Sequence, residues 1–372
     1  MDKQTLLKYK SLEFCYEPEV SEDIEEAVRN TILGNPTGLQ YRHLDSVRKI
    51  HEIYPIDFFT LRKDGILNFV LALVERITNY NGSSYFTYNV RYVSFNQKLA
   101  KKITENRKFQ AQKRISNSFI KEGMLKIAES FDFVLKNEGN QPDKKLYYAY
   151  VEESNIRSME FTRFFFEKIR EIAVNSYCRL LPRKNKNIGR LKEEEKPVME
   201  ELLNERYRNY TFYFFEKGLL DNDYYILREN GEIIIGAKIQ RVHWKLVNVP
   251  GFMGKMLLKI IPYIPYFSRI LKKGKFQFLT IDNVYYKPGK EDQLETFFKA
   301  VLAEHKLCIS FFYLDIEDPL YSEIMKIKRK GLLSKFYGGA RAAVLARFVN
   351  FLEEEKKQFY EHPIFVSAYD MT

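Results

Sequence analysis

The spacing of apolar and polar positions changes along this chain, and each change predicts an element. Residues 12–16, 57–61, 68–79 and 84–95 are short runs rich in β-branched and aromatic residues, which predicts strands. Lys63-Asp64-Gly65 and Asn79-Tyr80-Asn81-Gly82 separate the last three and predict hairpin turns. Ser21, Glu22 and Asp23 open a helix with Ile24, Ala27 and Val28 on one face, and a second short helix is expected over 45–53. Strand, helices, then an antiparallel meander is the resulting order.

Residues 146–151 read as a buried strand broken by Glu152, Glu153 and Ser154. Asn155 then opens a helix with Met159, Phe161, Phe164, Phe165 and Ile169 along one face. Before this strand lies a basic segment with Lys98, Lys101, Lys102, Arg107, Lys108, Lys113 and Arg114, leading into a helix through Ile115, Phe119, Ile120 and Met124. Residues 182–196 are polar and rich in turn formers, which places a domain boundary there and gives units 1–182 and 183–372. Beyond it come a helix over 197–210 and strands over 224–227 and 232–247 joined by Glu229-Asn230-Gly231. A strand over 276–286 leads to a helix opened by Pro288-Gly289-Lys290-Glu291-Asp292. A strand over 307–314, a helix over 319–328, a helix over 340–355 and a final edge-covering strand over 364–369 complete the chain. Strand, helix, strand ending in a carboxylate, helix occurs over 85–167 and again over 276–328, which predicts an internal repeat.

The stretch Val151-Glu152-Glu153-Ser154-Asn155, with its aromatic-faced helix, resembles the fifth strand and fourth helix of the GNAT acyltransferases. These enzymes move an acyl group from coenzyme A to an amine. The resemblance implies an α/β (α+β) fold of two GNAT-like domains in tandem, each a mixed, mostly antiparallel sheet flanked by helices. It implies acetyl-CoA or another acyl-CoA as cofactor and a small-molecule or peptide amine as acceptor. Asn155 matches the family's strand-end Asn beside the pantetheine arm; the residues alone also read it as a helix cap. Val93 and Phe95, ending the preceding strand, would border the same arm.

The family's phosphate loop puts glycines where backbone N–H groups meet the pyrophosphate. Here the best match is Gln112-Lys113-Arg114-Ile115-Ser116, without either glycine. Arg107, Lys108, Lys113 and Arg114 are candidates to replace backbone donors with guanidinium and ammonium groups; their other reading is a solvated basic face. The family's acidic Tyr falls at Thr162, a poor proton donor, and Glu75 and Glu52 are candidate bases. In the second unit, Glu291 and Asp292 stand at the matching helix start. They suit the helix dipole and oppose a phosphate there, so the second domain is expected to be degenerate and the first to hold the cofactor.

Composition narrows the alternatives. The 372 residues suit two domains, and 45% hydrophobic with 29% charged is globular. The 30 Phe and 26 Tyr predict an aromatic core. A net charge of +11 favours an anionic partner. Cys15, Cys178 and Cys308 show no disulfide or metal spacing, which points to a reducing, cytoplasmic setting. The His spacings predict no metal site, and no GxSxG, Walker or GxGxxG motif occurs. A nucleic-acid binder would use the basic segments but shows no recognition motif. A membrane-surface role would use residues 252–273, apolar with interspersed cations. A GNAT-shaped binding module without activity is the remaining alternative.

Overall fold

A computed structural model describes residues 3–34, 38–52, 55–80, 83–95, 144–163, 165–216, 218–221, 223–249, 251, 260, 263, 271–272, 274–327 and 340–371. The first half contributes β1 (Gln4–Tyr9), β2 (Leu12–Glu17), α1 (Glu22–Asn30), β3 (Leu33–Gly34), β4 (Gln40–His43) and α2 (Ser46–Glu52). There follow β5 (Ile56–Lys63), β6 (Ile66–Tyr80), β7 (Ser83–Phe95), β8 (Lys145–Glu152), α3 (Ile156–Thr162) and β9 (Glu167–Cys178). The second half contributes β10 (Ile188–Arg190), α4 (Lys196–Arg206), β11 (Tyr224–Glu229), β12 (Glu232–Asn248), β13 (Leu271–Lys272) and β14 (Lys275–Tyr286). It ends with α5 (Leu294–Glu304), β15 (Ile309–Asp315), α6 (Pro319–Lys326), β16 (Ala340–Val349), α7 (Glu353–Glu361) and α8 (Ala368–Met371).

The strands form one sheet in the order β1-β2-β5-β6-β7-β8-β16-β9-β15-β14-β12-β11-β10. Neighbours are antiparallel except for β7 with β8 and β14 with β15, which run parallel. These two parallel pairs are the repeat read from the sequence. The halves also exchange strands. β9 follows the first half in sequence but pairs with β15 of the second; β16 ends the second half but pairs with β8 of the first. β9 and β16 then pair with each other at the centre. The largest core cluster, from Tyr148 and Ile172 to Phe278 and Phe311, crosses this seam on one face of the sheet. On the other face, Phe297, Phe298 and Val301 of α5 pack on Leu279 and Ile281.

Three expectations fail, and tertiary context explains each. The helix expected over 340–355 is strand β16 as far as Val349. Ala342, Ala343, Val344, Leu345 and Ala346 are all buried between β8 and β9, and a continuous apolar run suits a strand covered on both faces. That placement overrides the helix preference of alanine. The helix after Asn155 stops at Thr162, and Ile169 belongs to the central strand β9. The expected final strand over 364–369 covers no sheet edge: it makes one bridge, Thr211 with Ile364, inside the fold and continues into α8.

Candidate active site

The site is built where β7 and β8 part. Their parallel ladder runs from Phe86–Lys145 to Asn89–Tyr148 and ends there, although β7 continues to Phe95 and β8 to Glu152. The result is a fork whose arms keep their outer partners, β6 and β16. Just past the crotch, Val70 and Ala72 of β6 face Ser94 and Arg91 of β7, so β7 holds one extra residue. Tyr92 there takes a positive φ of 51°. A bulge of this kind re-aims the backbone beside a site.

The second half repeats this geometry. β14 and β15 are paired only at Leu279–Ser310 and Thr280–Phe311. β14 bulges between Asp282 and Tyr285, with Asn283 at a φ of 47°. Counted from the crotches, Asn89 corresponds to Thr280, Tyr92 to Asn283, Tyr148 to Phe311, Glu152 to Asp315 and Asn155 to Asp318. Asn155 caps α3, its Oδ1 accepting from the Ser158 N–H at 3.2 Å. Asp318 caps α6, its Oδ1 accepting from the Leu320 N–H at 2.7 Å.

The fork of the second half is filled by the chain's own end. Asp315 Oδ2 accepts from the Ile364 N–H and Asp282 Oδ2 from the Ala368 N–H, both at 2.8 Å. Phe365 N–H donates to the Thr211 carbonyl at 2.8 Å, and Ser367 Oγ donates to Glu216 Oε1 at 2.9 Å. At the matching helix start, the Glu291 carboxylate accepts the Gly289 N–H at 3.1 Å, so a built-in anion already holds that donor.

The same tail reaches the first half. The Asp370 carboxylate receives both Arg76 Nη atoms at 2.5 Å and lies 3.4 Å from Arg91 Nη1. Arg76 Nη1 also donates to Tyr148 Oη at 2.9 Å. The Tyr369 ring sits between Lys49 Nζ at 4.7 Å and the Arg91 guanidinium at 4.8 Å. Burial pushes the Lys49 amine down to about 7 and the Asp282 carboxyl up to about 7. Burial, with Tyr148 beside it, holds the Tyr150 phenol above its usual range.

Asn155 stands past the open end of the fork and Val93 on its β7 arm, 38% exposed; Phe95 ends that arm. Glu75 pairs with Tyr88, one row below the crotch, on the face that carries Leu73 and Tyr147. Asn89 and Tyr148 are on the opposite face. Thr162 Oγ1 donates to the Ser158 carbonyl at 2.8 Å. Arg107, Lys108, Gln112, Lys113, Arg114, Ile115 and Ser116 lie outside the described residues, as does most of 252–273.

Sequence reasoning missed Asn89. It is 1% exposed at the crotch, and neither its Nδ2 nor its Oδ1 has a hydrogen-bond partner among the described residues. An Asn within an apolar strand run was the available signal. It also missed Arg76, an arginine at an inward position of β6, where alternation calls for an apolar residue.

Two parallel pairs that fork beside a bulge, in antiparallel sheets flanked by helices, are the GNAT fold in two copies. Among solved structures, the chain is similar to N-myristoyltransferase of Saccharomyces cerevisiae with bound myristoyl-CoA, at a TM-score of 0.54 and 10% identity, covering 98% of this chain and 91% of that one. The same enzyme with myristoyl-CoA and inhibitors matches at a TM-score of 0.53 and 9% identity, covering 92% and 81%. No family model and no curated protein sequence matches the chain. None of the described helices is long and apolar enough to cross a membrane, and the described residues hold no group of three or more His, Cys, Asp and Glu placed to bind a metal.

Proposed function

We propose that the protein is an acyl-CoA-dependent N-acyltransferase that uses the first fork. One observation carries the reading: the first parallel pair parts beside a bulge that the tail reaches through Tyr369 and Asp370, whereas in the second fork the tail's main chain binds Asp315 and Asp282. Parted strands with a bulge at Tyr92 suit the amide-bearing pantetheine arm. The buried amide of Asn89 at the crotch, without a partner among the described residues, fits a polar group arriving there. Asn155 and Val93 border the arm, with Phe95 ending the strand beside it. Arg107, Lys108, Lys113 and Arg114, with Gln112, Ile115 and Ser116, supply the phosphate site. The unit 1–182 then holds the cofactor, and 183–372 braces it. Glu75, the candidate base from the sequence, lies on the opposite face of the sheet from Asn89, and Glu152, on the arm of β8, is the carboxylate at the fork. The amine acceptor is a small molecule or a peptide, and the setting is cytoplasmic. The myristoyl-CoA in the similar yeast structures widens the acyl range to be tested beyond acetyl.

Calorimetric titration with acetyl-CoA and with myristoyl-CoA tests this reading. One saturable site per chain is expected with at least one of them. Replacing Arg107, Lys108, Lys113 and Arg114 by Ala should weaken it by about a hundredfold or more, the scale of several lost charge-assisted contacts. No binding of either cofactor by the native chain would refute the proposal.

A further inference from the structure

Arg170, on the central strand β9, is bonded unlike other arginines that the fold encloses. Arg62, Arg76, Arg179 and Arg228 each donate to a carboxylate. Arg206 finds a ring instead, its guanidinium 4.3 Å from the centre of Tyr286. Arg170 has neither. Its side chain is 12% exposed, and it makes no hydrogen bond among the described residues. The nearest carboxylate, Asp315, lies 3.8 Å from Nε, and both of its oxygens are taken. Oδ1 accepts the Glu317 N–H at 2.9 Å and Oδ2 the Ile364 N–H at 2.8 Å. Burial also pushes the Asp315 carboxyl up, which weakens its hold on a cation. Nε is fully buried, whereas Nη1 and Nη2 keep access to the outside. A guanidinium enclosed without hydrogen bonds is costly, and a ligand that supplies them gains.

The topology opens a pocket around it. The β9–β15 ladder stops at the Ile172–Asp315 pair, so β9 has no strand on that side before Ile172. The Ile316 N–H, donating to the Glu171 carbonyl at 3.2 Å, bounds one end of the gap. A cavity of about 240 Å³ lies there, lined by Lys168, Ile169, Arg170, Glu171 and Ile316. The other charges are already engaged. Lys168 bonds Glu153 and, at 3.3 Å, Glu171, and Glu171 also accepts from Arg341. Three cations therefore share two carboxylates around the cavity, with Asp315 buried behind Arg170. We infer that this cavity binds a carboxylate with a short hydrocarbon body, its two oxygens accepting from Arg170 Nη1 and Nη2. A planar guanidinium matches a carboxylate in two parallel bonds. One cation in excess suits a single negative charge, and Glu171 beside it opposes a phosphate dianion. Ile169 and Ile316 cover the hydrocarbon. The inference stands apart from the acyl-CoA reading of the first fork. The cavity flanks the β15 arm of the second fork, in the half whose helix start is closed to anions by Glu291.

The probe is butyrate, with butyramide as its neutral isostere and inorganic phosphate as the rival anion. Each is titrated into the full chain at fixed ionic strength and followed by calorimetry and saturation-transfer NMR. One saturable butyrate site per chain is expected, with phosphate weaker and butyramide not bound. Arg170→Gln should weaken butyrate by about tenfold or more, the worth of a hydrogen bond to a charged group. Arg170→Lys keeps the charge beside Asp315 but loses the planar fork, so it should weaken butyrate by less. Urea midpoints establish that each variant folds, and if Arg170→Gln does not, Arg170→Lys carries the comparison. Four results would each overturn the assignment. They are no saturable butyrate binding by the native chain, butyramide bound as well as butyrate, phosphate bound more tightly, and butyrate affinity unchanged in the folded variant that carries the comparison.

Discussion

The two forks share a blueprint and differ in what occupies them. In each, a parallel pair parts beside a one-residue bulge, and a capped helix follows the second arm. In the second half, Asp282, Asp315 and Glu216 bind main-chain and hydroxyl donors of the C-terminal segment. Glu291 meanwhile holds the donor that an anion would need. In the first half, the same segment presents Asp370 to Arg76 and Arg91, and the crotch amide of Asn89 has no hydrogen-bond partner among the described residues. A duplicated fold thus becomes asymmetric through a few side chains and one terminal segment. In the second copy the tail's main chain bonds the fork's carboxylates, and in the first its side chains meet arginines beside the fork.

The largest expected effect comes from cutting the link between the copies. Asp370→Ala would remove the buried carboxylate that bonds Arg76 and faces Arg91, and breaking such a pair costs about 3–5 kcal/mol. Urea denaturation should show this as one cooperative transition shifted to lower urea, since exchanged strands bind the halves together. Two separate transitions would break the picture of interlocked copies.

The two caps sharpen the comparison at smaller scale. Asp318 also accepts the Tyr210 hydroxyl at 3.1 Å and lies 3.7 Å from Arg206, whereas Asn155 has its capping bond. Asp318→Ala should cost about 2–4 kcal/mol and Asn155→Ala about 1 kcal/mol, a cap alone. Asn155→Ala should in addition weaken acyl-CoA binding, which Asp318→Ala should leave intact. Equal effects of both on binding would remove the asymmetry.

A further difference is a pH dependence of the plugged fork. Burial, with Glu216 nearby, pushes the Asp282 carboxyl up to about 7. The native state therefore holds more protons than the unfolded chain between about pH 4 and 7. Its contribution to stability is complete below about pH 4 and is lost as pH rises through about 7. Lys49, pushed down to about 7, acts in reverse: its contribution is present at high pH and lost as pH falls toward 7. Asp282→Asn should gain steadily on the native chain as pH rises from about 4 to about 7, by roughly 1.4 kcal/mol for each unit by which the native carboxyl is raised. A difference that does not change with pH would show that Asp282 is ionised throughout.

Much of the fold was legible because it is written locally. Asp64-Gly65 and Asn230-Gly231 take the positive φ values their hairpins require, and the apolar faces of α1 and α5 are buried where their spacing puts them. The repeat was also legible, since like order of elements survives when residues diverge. The exchange of β9 and β16 was not, because a strand's partner is set by sheet topology and leaves no mark on its own pattern. The site divided the same way. Asn155 could be placed from its strand-end position, whereas Asn89, Arg76 and Asp370 gain meaning only from neighbours distant in sequence.

The sequence by itself determined most of the elements, the duplication and the acidic helix start that sets the second half apart, all through periodicity and local charge. The tertiary structure alone decided that the tail's main chain lies in the second fork, that Asp370 meets Arg76 across 294 positions, and that Asn89 has no partner among the described residues. Burial and hydrogen-bond satisfaction are properties of assembled neighbours, and no stretch of chain carries them alone.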